Sequence, residues 1–339
     1  MTSRSTRWNP ERTPFLLEPV TKDYLWGGTR LSEEYKKGTE GSLIAESWEC
    51  STHANGRSVV ASGIFRGKTL KEVLDANPSM LGSHAKEICP EGELPILVKL
   101  IDAAENASVQ VHPDDAYAIK NEDSLGKTEM WYVLDAKPDA KLIYGFYRSM
   151  TESLVRESLR AGTLEKYLRK VNVKKDDVFF VEPGCVHSIG AGILLAEIQE
   201  NSDVTYRLYD YDRVDKNGEK RSLHQEKGLE VMKFTGSNNP RQPMRIFKYE
   251  PGCATDFLCR CKCFQVERKL ISTEGMKGIS CRSDETSFLV LLCTDGEGSI
   301  QNESAETSIP LKKGDCVFVP AESDEFILSG KMQLLWIKC

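Results

Sequence analysis

Hydrophobic positions along this chain fall mostly in short runs separated by Gly, Pro, Asp and Asn, with only a few stretches at helical spacing. Runs at residues 96–101, 131–134, 178–181, 245–249, 288–292 and 333–337 are bounded by turn formers and predict the strands of a sandwich or barrel. Helical spacing occurs at 69–81, where Leu70, Val73 and Leu74 recur, and again at 150–171 and 224–234. The predicted fold class is therefore mainly β with a few helices. At 339 residues the chain is expected to form two domains, because single cores seldom grow past ~250 residues. Gly236-Ser237-Asn238-Asn239-Pro240 follows the last helix and precedes strands only, which places the boundary between 1–235 and 236–339.

A faint internal repeat points to two related β modules. Val173-Lys174-Lys175-Asp176-Asp177-Val178-Phe179-Phe180-Val181 resembles Leu311-Lys312-Lys313-Gly314-Asp315-Cys316-Val317-Phe318-Val319, and Pro183 or Pro320 follows each copy. Matched this way, the second copy sets Ser287 against Glu129 and Asp324 or Glu325 against His187. The later module is expected to keep the fold without a metal site.

The chemistry is concentrated in the first module. Ser108, Gln110 and His112 alternate with Val109 and Val111, so a strand there sends the three polar side chains to one face. Lys127 and Glu129 share a face by the same period, and Pro183-Gly184-Cys185-Val186-His187 delivers a second imidazole from a turn. A lone histidine near a strand is more often a packing residue, but the pooled set favours a metal site. Two neutral imidazoles, one carboxylate and an amide oxygen would leave a divalent cation about one net positive charge, a Lewis acid for a carbonyl oxygen. Lys127, Glu197 and Arg207 add charges that an ordinary β core avoids. Taken singly, Arg207 could be a surface arginine paired with Asp210 or Asp212, Lys127 a solvated turn lysine, and Glu197 the partner of an arginine. His53, His84 and His224 read as structural or surface residues.

These segments resemble the type I mannose-6-phosphate isomerases of the cupin superfamily, in their compact bacterial form. The resemblance rests on Tyr24-Leu25-Trp26-Gly27-Gly28, on Val98-Lys99-Leu100-Ile101-Asp102-Ala103 leading into Ser108-Val109-Gln110-Val111-His112-Pro113-Asp114-Asp115, and on Gly126-Lys127-Thr128-Glu129-Met130. It continues through Pro183-Gly184-Cys185-Val186-His187-Ser188-Ile189-Gly190 and Glu197-Ile198-Gln199-Glu200-Asn201-Ser202-Asp203-Val204-Thr205-Tyr206-Arg207. It implies two cupin-like β-sandwich (jelly-roll) modules, the first catalytic and the second free of metal. It also implies one Zn2+ per chain held by Gln110, His112, Glu129 and His187, with a water as the alternative to the glutamine. Lys99, Ser108, Lys127 and Glu197 match positions lining the substrate pocket, and Arg207 matches the active-site arginine. The implied reaction interconverts mannose 6-phosphate and fructose 6-phosphate by proton transfer through an enediol. Glu197 and Lys127 are both candidates for the base, and a hydride shift between C1 and C2 is the poorer fit. From residue 236 onward the resemblance reaches only the β-rich architecture.

Charge and composition narrow the alternatives. A formal net charge of −6 argues against a nonspecific nucleic-acid binder, which needs a basic stripe. The longest apolar run, 288–293, is too short to cross a bilayer, and the first eight residues contain no apolar targeting core, so the expected location is cytoplasmic. Eleven cysteines without paired CxxC spacing suit reduced thiols better than a disulfide scaffold; Cys259, Cys261 and Cys263 are expected on one face of a strand. Two histidines and a carboxylate also suit a non-haem iron oxygenase, and a sugar-binding regulatory cupin with a structural metal is the non-enzymatic alternative. Lys99, Lys127 and Arg207 together favour an anionic sugar phosphate as the small-molecule partner.

Overall fold

The computed structural model of the chain describes residues 9–89, 92–215, 217–236, 247–302 and 307–339. Antiparallel strands in sheets of six, five and ten dominate it, as the short apolar runs predict. All eleven cysteines are free thiols. Of the expected linker only Gly236 is described, and the expected strand at 245–249 begins outside the described residues and is seen as Phe247–Glu250. The described residues within Met1–Val20, Trp48–Leu97 and Met244–Cys339 form one compact unit, and those within Thr21–Ser47 and Val98–Pro243 form a second. These units interleave along the chain, unlike the sequential division at 236. Two early segments owe their place to strand pairing: Phe15, for example, pairs with Phe318 and Leu17 with Val60.

In the second unit, Glu129–Ala136 and Ile193–Glu200 pair at the heart of the six-stranded sheet, with Ile96–Ala103 beside them. The five-stranded sheet runs in the order Tyr206–Tyr209, Val109–Val111, His187–Ser188, Lys141–Phe146, Leu168–Asn172. Trp131, Val133 and Leu195 from the first sheet and Leu142 from the second share one buried cluster, which is how two amphipathic sheets hide their apolar faces. Val109 and Val111 turn the other way and pack with Val155 of helix Glu152–Arg160 and Leu229 of helix Gln225–Val231. That helix lies so close that a Cβ on Gly228 would meet Leu208 at 2.4 Å. With the valines anchored outward, Gln110 and His112 must face inward.

The repeat is real, and the structure corrects its register. In each copy a lysine amide is capped by the aspartate three residues on, Lys174 by Asp177 and Lys312 by Asp315, at 3.0 and 2.9 Å. The turn residue before that aspartate is left-handed in both, Asp176 at φ 71° and Gly314 at 97°. Strand order also repeats: 178–181, 129–136, 193–200, 96–103, 46–50, 20–22 in one sheet and 316–319, 289–302, 326–338, 265–272, 253–260, 247–250 in the other. Val181 pairs with Glu129 where Val319 pairs with Leu289, and Trp131 pairs with Glu197 where Leu291 pairs with Trp336. The later counterpart of Glu129 is therefore Leu289, two residues beyond Ser287. By the same ladders His187 corresponds to Phe326 and Gln110 to Cys281. Leu289, Phe326 and Trp336 belong to one hydrophobic cluster, so the later module fills with apolar side chains the space that the earlier one fills with charge.

Two helical expectations shorten for local reasons. The helix at 150–171 is confined to Glu152–Arg160, capped by the Thr151 side chain; Gly162 at φ 64° breaks it, and Leu168–Asn172 is a strand. That at 69–81 closes at Ala76 before Asn77-Pro78 and continues as the 3-10 turn Pro78–Leu81. Cys259 alone of the alternating cysteines is in the strand Cys253–Arg260, because Cys261 already bonds back to Phe264 in a turn. Phe326 is fully buried, so Phe326→Ala should lower the unfolding free energy by about 3–5 kcal/mol in a denaturant titration. Glu325, its exposed neighbour, should tolerate Glu325→Gln with little change in stability or turnover.

Candidate metal centre

Each inward group is set by its own local device. Pro183 and Gly184 form a turn in which Gly184, at φ 82°, gives its amide to the His112 carbonyl at 2.8 Å and brings His187 in register with Gln110. Lys127 bonds through its backbone amide to the Pro113 carbonyl, at 3.1 Å. The preceding Gly126 has backbone 2.5 Å from where a Cβ would sit, which only glycine accepts. Glu129 and Trp131 then project to the interior two residues apart on one strand.

His112, Glu129 and His187 converge, with one ligand atom from each lying within 4.8 Å of the others. Among the described residues this is the one such cluster of His, Cys, Asp or Glu. His112 Nε2 lies 3.1 Å from Glu129 Oε1, and His187 Nε2 lies 3.7 Å from Glu129 Oε2. Each histidine donates its Nδ1 proton to a backbone carbonyl at 2.9 Å, His112 to Val204 and His187 to Cys185. That bond fixes the tautomer and leaves the Nε2 lone pairs aimed inward. His112 Nε2 and Glu129 Oε1 are buried with no hydrogen-bond partner. Burial pushes both imidazoles below their ordinary value; the Lys127 ammonium adds to this at His112, whereas Glu129 opposes it at His187. Neutral imidazoles, one carboxylate and unpartnered inward atoms are a donor set that fits a divalent metal.

Gln110 Nε2 lies 3.3 Å from His187 Nε2, and its oxygen faces the Ser108 hydroxyl at 3.5 Å. Ligation through the amide oxygen therefore requires this amide to turn over. Lys127 Nζ is 3.5 Å from Glu129 Oε1, and Lys99 Nζ is 3.2 Å from Glu197 Oε2. Burial opposes the charge of Lys99, but Glu46, at 3.5 Å, and Glu197 raise its pKa. The Trp131 indole N–H donates to both Glu197 Oε1, at 2.8 Å, and Glu129 Oε2, at 3.1 Å.

Arg207 pairs with Gln110 in the ladder, so both side chains leave the same face of the sheet. Its guanidinium donates to the Ser222 carbonyl at 2.8 Å, and burial together with the Arg221 cation lowers its pKa. The surface pairings considered for it go elsewhere: Asp210 bonds Arg213 and Arg221, and Asp212 bonds Lys220. Sequence reasoning overlooked Glu46 and Trp131; His224, read as a structural or surface residue, accepts the Arg207 backbone amide at Nδ1, 3.3 Å away. Trp131 was detectable as an indole two residues from Glu129 on a largely apolar strand, whereas Glu46 opens the mixed strand Glu46–Cys50 and carries no such signal.

Two copies of one antiparallel jelly-roll topology, one of them enclosing a His/Glu/His cluster that could hold a metal ion, define a member of the cupin class. The family model for the phosphomannose isomerase type I catalytic domain matches residues 15–141, and that for the mannose-6-phosphate isomerase cupin domain matches 255–338. Mannose-6-phosphate isomerase ManA of Bacillus subtilis is 37% identical over 319 residues, covering 94% of this chain and 96% of that protein. Mannose-6-phosphate isomerase of Streptococcus mutans is 33% identical, covering 95% and 97%. The crystal structure of the mannose 6-phosphate isomerase from Bacillus subtilis superposes with a TM-score of 0.85 at 33% identity, covering 96% of this chain and 99% of that one. A crystal structure of mannose 6-phosphate isomerase bound with zinc and yttrium shares the fold at 17% identity, with a TM-score of 0.72 over 96% of this chain and 98% of that one. The chain belongs to the type I phosphomannose isomerase family, and it is an isomerase. The catalytic-domain match takes in Lys99, Ser108, Gln110, His112, Lys127 and Glu129, while His187, Glu197 and Arg207 lie beyond its end. No helix of the described residues is long and apolar enough to cross a membrane.

The depressed histidines have a consequence for pH. Because both pKa values are lower folded than unfolded, the unfolded chain takes up protons first as pH falls below about 6.5. The metal-free protein should therefore lose stability between pH 7 and pH 5, and His112→Asn should flatten that fall in thermal melts across the range.

Proposed function

We propose that this cluster is a zinc site, one ion per chain, serving the interconversion of mannose 6-phosphate and fructose 6-phosphate by proton transfer. The observation that carries the reading is the pair of inward, buried atoms His112 Nε2 and Glu129 Oε1, neither with a hydrogen bond, beside two buried lysines. His112, Glu129 and His187 would hold the ion, with Gln110 or a water completing the shell; three protein ligands and an exchangeable fourth position are typical of catalytic zinc. When bound, the ion supplies Lewis acidity toward the substrate oxygens. Zinc in a relative of the same fold supports the choice of metal.

In the isomerisation a proton leaves C2 of the open-chain aldose, negative charge builds on the C1 oxygen, and a proton returns to C1 while the O2 hydroxyl proton passes to O1. The ion pair of Lys127 with Glu129 supports a cationic role for Lys127, which leaves Glu197 as the base. Lys99 holds Glu197 in place, Arg207 places positive charge on the face it shares with Gln110, and Ser108 lines the floor. The anionic sugar phosphate is the small-molecule partner, and all these groups lie within residues 1–235, the segment expected from the sequence to be catalytic.

Elemental analysis alongside a coupled isomerase assay tests the metal: about one zinc per chain is expected, with activity lost on chelation and restored by zinc. Full activity in metal-free protein, or stoichiometric iron with dioxygen consumption, would overturn this reading. Arg207→Ala should lower kcat by roughly two to four powers of ten with metal content unchanged. A raised KM at nearly constant kcat would instead assign Arg207 to uniform substrate binding, with Arg207→Lys a poor rescue.

A further inference from the structure

We propose that Trp131 is a positioning residue whose single indole N–H, shared between Glu129 and Glu197, holds the base in register with the metal ligand. This rests on the assignment of those two carboxylates above. Trp131 is fully buried, and its Nε1 lies 2.8 Å from Glu197 Oε1 and 3.1 Å from Glu129 Oε2. The other oxygen of each carboxylate faces its own lysine, Lys99 Nζ at 3.2 Å from Glu197 Oε2 and Lys127 Nζ at 3.5 Å from Glu129 Oε1. The indole thus hydrogen-bonds both carboxylates. Two like charges that converge in a dry interior repel, and a donor placed between them both offsets the repulsion and fixes their separation. The ring also meets His187 edge to face, with centroids 5.4 Å apart at 72°, so it borders two of the three converging ligands.

The protein carries its own control. In the later module the same barrel position is Leu291, where Glu129 is replaced by Leu289 and Glu197 by Trp336. Leucine therefore packs this position when there are no carboxylates to serve. In the earlier module an indole stands where two carboxylates accept its N–H; in the later one the bulk of an indole passes to Trp336, the partner of Leu291.

Trp131→Phe keeps an aromatic ring, smaller than the indole, and removes the N–H, and Trp131→Leu installs the residue of the later module. Both should lower kcat by about 10- to 100-fold with KM within a few-fold, and both should speed loss of zinc to a chelator, the usual cost of removing an outer partner of a ligand. Phe and Leu should behave alike, because both lack the donor while differing in volume. If Trp131→Phe turns over and holds zinc like the parent while Trp131→Leu merely melts earlier, the tryptophan is a packing residue and the inference fails. If both variants melt earlier and their folded fractions keep the parental kcat and zinc release, it fails as well. The reading of the site is judged separately by Glu197→Gln and Glu129→Gln. If these leave activity intact, the assignment of the carboxylates falls whatever Trp131 does. If they abolish it and Trp131→Phe has no effect, only the present inference falls.

Discussion

Glu129 carries a carboxylate whose side chain is 1% exposed, and the rest of the first module is arranged around that burial. An ionised carboxylate withdrawn from water must find compensating charge or donors close by. Here it has an ammonium, an indole N–H and two imidazoles. Lys127 in turn is buried, as are the neighbouring Lys99 and Glu197, with the half-buried Glu46 beside them. Two ammonium groups against three carboxylates leave an excess negative charge beside two neutral histidines. A bound cation would make up that deficit of positive charge, and the later module shows the same positions without carboxylates. There the equivalent positions are Leu289, Phe326 and Trp336, and hydrophobic packing serves in place of electrostatic compensation.

The sheets provide the rigidity this needs. Val109 and Val111 are locked against the helices on one side, so Gln110 and His112 cannot turn away from the interior. The cross-strand ladder sets Arg207 opposite Gln110 and Glu197 opposite Trp131. Histidine orientation is taken over by backbone carbonyls of Val204 and Cys185, which leaves side chains free for the site. Donor positions held by strands and turns before any ligand arrives cost little reorganisation during the reaction.

Much of this could be read from the chain, for identifiable reasons. Period-two alternation at 108–112 and at 127–129 is a local signal, and the structure places those side chains as the period requires. The repeat at 173–181 and 311–319 was legible because a lysine-to-aspartate turn depends on residue identity. Its register across the barrel was not, since the segments joining the matched strands differ in length between the two copies and a count carried from one strand misses the next. The same blindness to distance explains the interleaved units. Nothing in residues 9–20 announces that Phe15 stacks on Phe318, with rings 5.4 Å apart, because the pairing partner is supplied by the fold and not by neighbours in sequence. Helix 150–171 was overextended because a periodic apolar pattern continues through a glycine and into a strand.

The central claim is that the buried histidines and Glu129 form a metal site and are not a self-satisfied ionic core. Anomalous diffraction at the zinc edge, from crystals of the purified and active protein, addresses it most directly. The account predicts one strong peak per chain within about 2.0–2.2 Å of His112 Nε2, His187 Nε2 and a Glu129 oxygen, and none in the module containing Phe326. An active preparation whose crystals show no peak among these three side chains, or whose only peak lies elsewhere, would contradict it.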